Sequence, residues 1–148
     1  MAEARQSADS VVITKTVRLV ATFVLTFGLF TAFHGTSSVG GGFQGGAIVA
    51  ATVIAIAFAF GAAQTDAWLR GPRLRWLAAS GVFVFLLVAF ATLAFGGAVL
   101  DVGAVPTAKG AVYAVELIEL GIAATVAATV VIVFLALAGG DDSTGGAG

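Results

Sequence analysis

The chain contains no cysteine, which excludes disulfides, thiolate catalysis and cysteine-ligated metal. It has a single histidine, His34, so no pair of imidazoles is spaced to hold zinc or haem. Charge is equally scarce. Asp, Glu, Lys and Arg make up 10% of 148 residues, where soluble globular domains carry about a quarter. The seven Lys and Arg form no tract that could follow a nucleic-acid backbone, and the formal net charge is −1. One histidine and scattered serines assemble no nucleophile–base–acid set, so an enzyme is not expected. The same lack of ligands points to no metal and no cofactor.

What is present is apolar. Hydrophobic residues make up 59% of the chain, and its mean hydropathy is +1.08. A soluble fold of this length cannot hide so much apolar surface, but a bilayer can. Between Leu19 and Thr65 no Asp, Glu, Lys or Arg occurs. That stretch is too long for one span, since about 20 residues cross the hydrocarbon. Two spans joined tightly fit it, and the whole chain reads as an all-α integral membrane protein of four transmembrane helices. The expected spans are Ile13–Phe33, Phe43–Ala63, Leu77–Val99 and Ala111–Leu137, forming one membrane domain over residues 13–138. Residues 1–12 are set apart as an N-terminal segment. The Gly-rich acidic tail, residues 139–148, is expected to be disordered. Lys15 and Arg18 precede an apolar run that leads into His34 and glycines, not into a small-residue cleavage site. The run is therefore expected to be retained as the first span rather than removed as a signal peptide.

Basic residues set the orientation. Arg5 lies before the first span, Lys15 and Arg18 lie in its first turns, from which they can snorkel, and Arg70, Arg73 and Arg75 lie between the second and third. Only Lys109 lies in the other connections, so both termini are expected in the cytoplasm of a cell-membrane protein. Trp68 and Trp76 flank the inner basic cluster, as an interfacial aromatic belt would. Whatever the orientation, the first and third connections share one side of the membrane.

Small residues mark candidate helix contacts. Ala47, Ala51, Ala55, Ala59 and Ala63 repeat every fourth residue in the second span, and Gly121, Thr125 and Thr129 do so in the fourth. Tight packing within the chain and docking onto another subunit are both open for these stripes. The third span instead carries bulk, with Phe83, Phe85, Leu86, Leu87, Phe90 and Phe95.

Three ionisable residues are candidates for an ion or proton path, because a charge inside a bilayer is costly and functional by default. Glu116 and Glu119 share one face of the fourth span. Glu116 falls at the outer interface, where a solvated role competes with a functional one. Glu119 falls about one turn deeper; it either reaches water along its helix or serves as a proton carrier. His34 closes the first span, either as a water-satisfied helix end or as a group titrating near neutral pH. After it comes a polar island, His34 to Gly46, in which Gly40, Gly41, Gly42, Phe43, Gln44, Gly45 and Gly46 lead into the second span. Its glycines permit unusual backbone angles and close approach, and the helix start they lead to offers unpaired N–H groups. The island is not a phosphate loop, since no Lys-Ser/Thr ending follows.

His34-Gly35 with Ser38-Val39-Gly40-Gly41-Gly42-Phe43-Gln44-Gly45-Gly46 resembles the signature of the MnhB/MrpB subunit of multisubunit Na⁺/H⁺ antiporters, roughly H-G-x-x-[ST]-P-G-G-G-F-Q-G-G. Glu119-Leu120-Gly121-Ile122 resembles that family's acidic-x-Gly-aliphatic motif. Val39 departs from the pattern, standing where the family has proline. The resemblance spans roughly Lys15 to Leu137. It implies a four-helix accessory subunit of a Na⁺/H⁺ antiporter complex, with other integral-membrane subunits and the lipid bilayer as partners and Na⁺ and H⁺ as the complex's ions. A subunit of an ion-translocating redox complex, such as a membrane-bound hydrogenase, is the alternative. A stand-alone small four-helix transporter fits less well, because its carboxylate belongs in the first helix, which here has none.

Overall fold

A computed structural model describes residues 2–35 and 40–139, with side chains from residue 11 onward. Among the described residues five α-helices occur in the order α1 (Ala2–Phe33), α2 (Gly42–Phe60), α3 (Ala62–Leu69), α4 (Gly71–Ala94) and α5 (Gly110–Gly139), with a 3₁₀ turn at Val102–Ala104. Four of them are long and apolar enough to cross a membrane: Val11–Phe33 within α1, then α2, α4 and α5. The expected tail lies outside the described residues from 140 onward, and so do residues 36–39 of the polar island.

The helix boundaries correct the sequence expectations where local chemistry intervenes. α1 starts at Ala2, so residues 2–12 are helical and run continuously into the first span, whose apolar stretch begins at Val11. Ala, Glu, Arg and Gln in that stretch are strong helix formers. α2 stops at Phe60 instead of Ala63 because Gly61 adopts φ 98°, a conformation that glycine alone accepts easily. The Gly61 carbonyl then accepts from the hydroxyl of Thr65, 2.9 Å away and 2% exposed, which anchors the short α3. α4 begins at Gly71, not Leu77, since Pro72 lies in the first turn, where its missing N–H costs nothing. Arg73 and Arg75 therefore ride on the first turns of α4. The helix ends at Ala94, not Val99, and the chain folds back there. Leu100 N–H donates to the Ala89 carbonyl at 3.1 Å, and the buried Thr92 hydroxyl lies 2.7 Å from the Ala98 carbonyl.

The helices form an open row in the order α1, α2, α5, α4, with α1 and α4 at its two ends. α1 runs antiparallel to α2: Ala32 meets Gly45, and Gly28 meets Ile48 and Val49. α5 runs parallel to α2, with Glu119 at Gly42 and Ala123 at Gly46. α4 runs antiparallel to α5: Gly81 meets Gly121, and Leu74 joins Ala50, Ala128 and Val131 in the buried cluster.

Backbone proximity holds the row together. A Cβ on Gly42 would overlap the Glu119 carbonyl, and one on Gly81 would overlap that of Gly121. Close approach of this kind substitutes for the hydrophobic drive that lipid does not supply. The buried positions of α2 are Gly42, Gly45, Gly46, Ala50, Thr52 and Ala57. The alanine stripe lies to one side of them: Ala47 and Ala59 are half-buried, and Ala51 and Ala55 are exposed. The bulk on α4 faces outward, with Phe83, Leu86, Leu87, Phe90 and Phe95 all exposed.

A cradled carboxylate at the start of the second span

The two ends of the polar island converge on one side chain. Gly35, just beyond α1, lies so close to the Glu119 carboxylate that a Cβ there would overlap both of its oxygens. From the other end, a Cβ on Gly41 would stand 3.6 Å from Glu119 Oε1. Gly41 adopts φ 146°, which turns the chain into α2 directly against α5. Gly42 then seats on the Glu119 backbone carbonyl, and Gly46 on that of Ala123, where a Cβ would approach to 2.6 Å. Three glycines of the island thus leave the space that Glu119 fills, and a fourth locks the next turn.

Within this cradle Glu119 Oε2 is buried and has no hydrogen-bond partner among the described residues. A buried oxygen left unpaired is uncommon in folded proteins and calls for an explanation of its own. The polar groups of the neighbouring segments show the contrast. Along α1, the hydroxyls of Thr22, Thr26 and Thr31 each donate to the carbonyl one turn back, at 3.1, 2.8 and 2.9 Å. On α2, Thr52 does the same toward Ile48 at 2.8 Å.

The depth of the cradle follows from the helix that carries it. Glu119 lies about 14 Å along α5 from Gly110, at the 1.5 Å rise per residue of an α-helix. α1 therefore ends, and α2 begins, well past the first turns of α5 rather than level with its start at Gly110. Irregular backbone at such a depth is tolerated where protein covers it or a cavity is lined by it. Glu116, one turn outward on α5, is half-buried.

His34 stands beside the cradle, adjacent in sequence to Gly35. Its ring stacks on Phe30 with centroids 3.9 Å apart, and Nδ1 lies 3.0 Å from the Phe30 carbonyl. Since a carbonyl only accepts, Nδ1 carries hydrogen there and the imidazole is held against its own helix. Phe43 and Gln44 are exposed on the first turn of α2. The sequence pattern did not anticipate Gly35 as a contact of Glu119, or Gly81 as the partner of Gly121. For Gly35 the available signal was its place directly after the helix end.

Comparison with known proteins places these residues in a context. An uncharacterized protein of Methanocaldococcus jannaschii is 35% identical over 78 residues, which make up 53% of this chain and 29% of that protein. The match thus spans under a third of that relative's length. Residues 12–145, from the first apolar stretch past the end of α5, match the family described as a domain related to the MnhB subunit of Na⁺/H⁺ antiporter. With the four apolar helices, from the second residue of the first span onward, and the cradle inside the matched region, the chain belongs to the MnhB-related family and is a multi-pass membrane protein.

Proposed function

We propose that the chain is an accessory subunit of a monovalent cation (Na⁺)/proton antiporter complex in the cell membrane, and that Glu119 is its ion- or proton-carrying group. The observation that carries this reading is the buried, unpartnered Oε2 of Glu119, enclosed by Gly35 and Gly41. A purely structural carboxylate gains nothing from that position, where it loses hydration and receives no hydrogen bond in return. A group that alternately holds and releases a cation must keep an oxygen uncommitted. His34 and Glu116 serve as the neighbouring relay positions, one on the α1 side and one a turn outward on α5. Both termini lie in the cytoplasm, which sets the cradle toward the outer leaflet. The exposed alanines of α2 and the phenylalanine face of α4 are available to the other membrane subunits of the complex.

The test is Glu119→Gln in the whole complex, with antiport measured in everted vesicles and subunit content measured by quantitative blotting. The expected result is loss of Na⁺/H⁺ antiport with assembly unchanged. Full antiport in Glu119→Gln overturns the proposal.

A further inference from the structure

A second site forms at the opposite end of the α1–α2 pair, and it is independent of Glu119. Arg18 lies inside the apolar stretch Val11–Phe33, a placement that by default marks a functional group. Its guanidinium stands 5.6 Å over the ring of Phe60, the last residue of α2. Phe60 in turn meets Trp68 of α3, with ring centroids 5.7 Å apart. Residues from three helices are thus gathered at the side of the molecule that carries Arg70, Arg73 and Arg75.

Below them runs a groove of about 330 Å³ between α1 and α2, walled by Leu25, Val53, Ile56 and Phe60, with Arg18 and Trp68 at its mouth. The lining contains no acidic residue to neutralise Arg18. The two threonines in it, Thr22 and Thr52, donate their hydroxyls to their own helices. The groove therefore offers one cation at an aromatic rim and apolar walls beneath it.

The geometry points to a binding site for one anionic phospholipid, with the headgroup phosphate on Arg18 and an acyl chain along the α1–α2 groove. Arginine suits this role, because its planar donors match phosphate oxygens and its face stays stacked on Phe60 while they bind. Trp68 sits at headgroup level, where indole rings favour the interface. Charge complementarity selects the lipid class: a zwitterionic headgroup carries its own cation, which offsets the attraction of its phosphate for the guanidinium, whereas an anionic headgroup keeps a net negative charge there. Lys15, one turn before Arg18, adds attraction for anionic lipid without lining the groove.

The full chain reports on this site through its own fluorescence. The chain has two tryptophans, so Trp76→Phe leaves Trp68 as the sole fluorophore. In nanodiscs, dibrominated phosphatidylglycerol is expected to quench Trp68 about fivefold more effectively than dibrominated phosphatidylcholine at equal mole fraction, as one interfacial cation allows. Arg18→Gln abolishes the preference and Arg18→Lys retains part of it. Thr22→Phe, an exposed position on the groove wall, reduces quenching by both lipids while leaving the fold intact. A preference unchanged in Arg18→Gln, or equal quenching by the two lipids in the parent, overturns the proposal. In the assembled complex, a photo-crosslinker at position 22 is expected to capture phospholipid. Capture of a neighbouring subunit there overturns it as well.

Discussion

α5 packs against a neighbouring helix on each of two sides, and both contacts rely on glycine, yet they finish differently. On the α4 side, Gly81 and Gly121 bring the backbones together, and the Thr125 hydroxyl lies 2.9 Å from the Gly121 carbonyl and 3.2 Å from the Ala78 carbonyl across the interface. Its polar atom is satisfied. On the α2 side, Gly42 and Gly46 achieve the same proximity, but the polar side chain between the helices is Glu119, with a buried oxygen left open. Small residues thus serve two ends on one helix. At α4 they make a joint whose hydroxyl is hydrogen-bonded, and at α2 they make one whose carboxylate oxygen accepts no hydrogen bond among the described residues. An interior of low dielectric makes such an oxygen costly, and the proposed function rests on that side.

Substitutions can separate the two joints. The largest effect is expected at Gly42→Val. Its side chain would strike the Glu119 carbonyl, and overpacking of this kind costs about 1–3 kcal/mol, so α2 cannot dock and both subunit level and antiport fall in membranes. Gly81→Ala is expected to disturb the α4 joint by a similar mechanism. There the subunit level falls while antiport per assembled complex stays constant, which blotting and vesicle assays measured together will show. If Gly81→Ala lowers the specific antiport rate, the two joints are not separable and the comparison fails. Thr125→Val removes one interhelical hydrogen bond, worth about 0.6 kcal/mol in membrane proteins. It should lower the unfolding midpoint in detergent slightly and leave transport untouched. The smallest effect on the chain's own stability is expected at Ala55→Leu, an exposed position of α2, where the change should stay within about 0.5 kcal/mol.

Much of this arrangement was legible in the sequence. The 18-to-20-residue scale of a span, set by bilayer thickness, placed four helices correctly from hydropathy alone. The motif at His34–Gly46 and the Glu119–Gly121 segment together indicated the family, and the shared side of the first and third connections put them within reach of each other. Three features were not readable. The Pro72 start of α4 moved that helix toward the N-terminus, because proline after glycine can open a helix as well as stop one. The four-residue alanine repeat of α2 was conspicuous, but burial fell on Gly42, Gly46, Ala50 and Ala57 beside it. Pattern alone does not say which small face a neighbour chooses. Finally, the pairing of Gly35 with Glu119 joins a residue in the turn after α1 to one on α5, and no helical periodicity encodes it.

Glu119, and not Glu116, is the carboxyl group proposed to serve transport from an apolar cradle. Labelling by a hydrophobic carbodiimide, which modifies carboxyl groups in apolar surroundings, tests this directly when read by peptide mass spectrometry of the intact complex. Modification is expected at Glu119 in step with loss of antiport, with none at position 119 in Glu119→Gln and little at Glu116. Modification confined to Glu116, or full modification of Glu119 with antiport preserved, would contradict it.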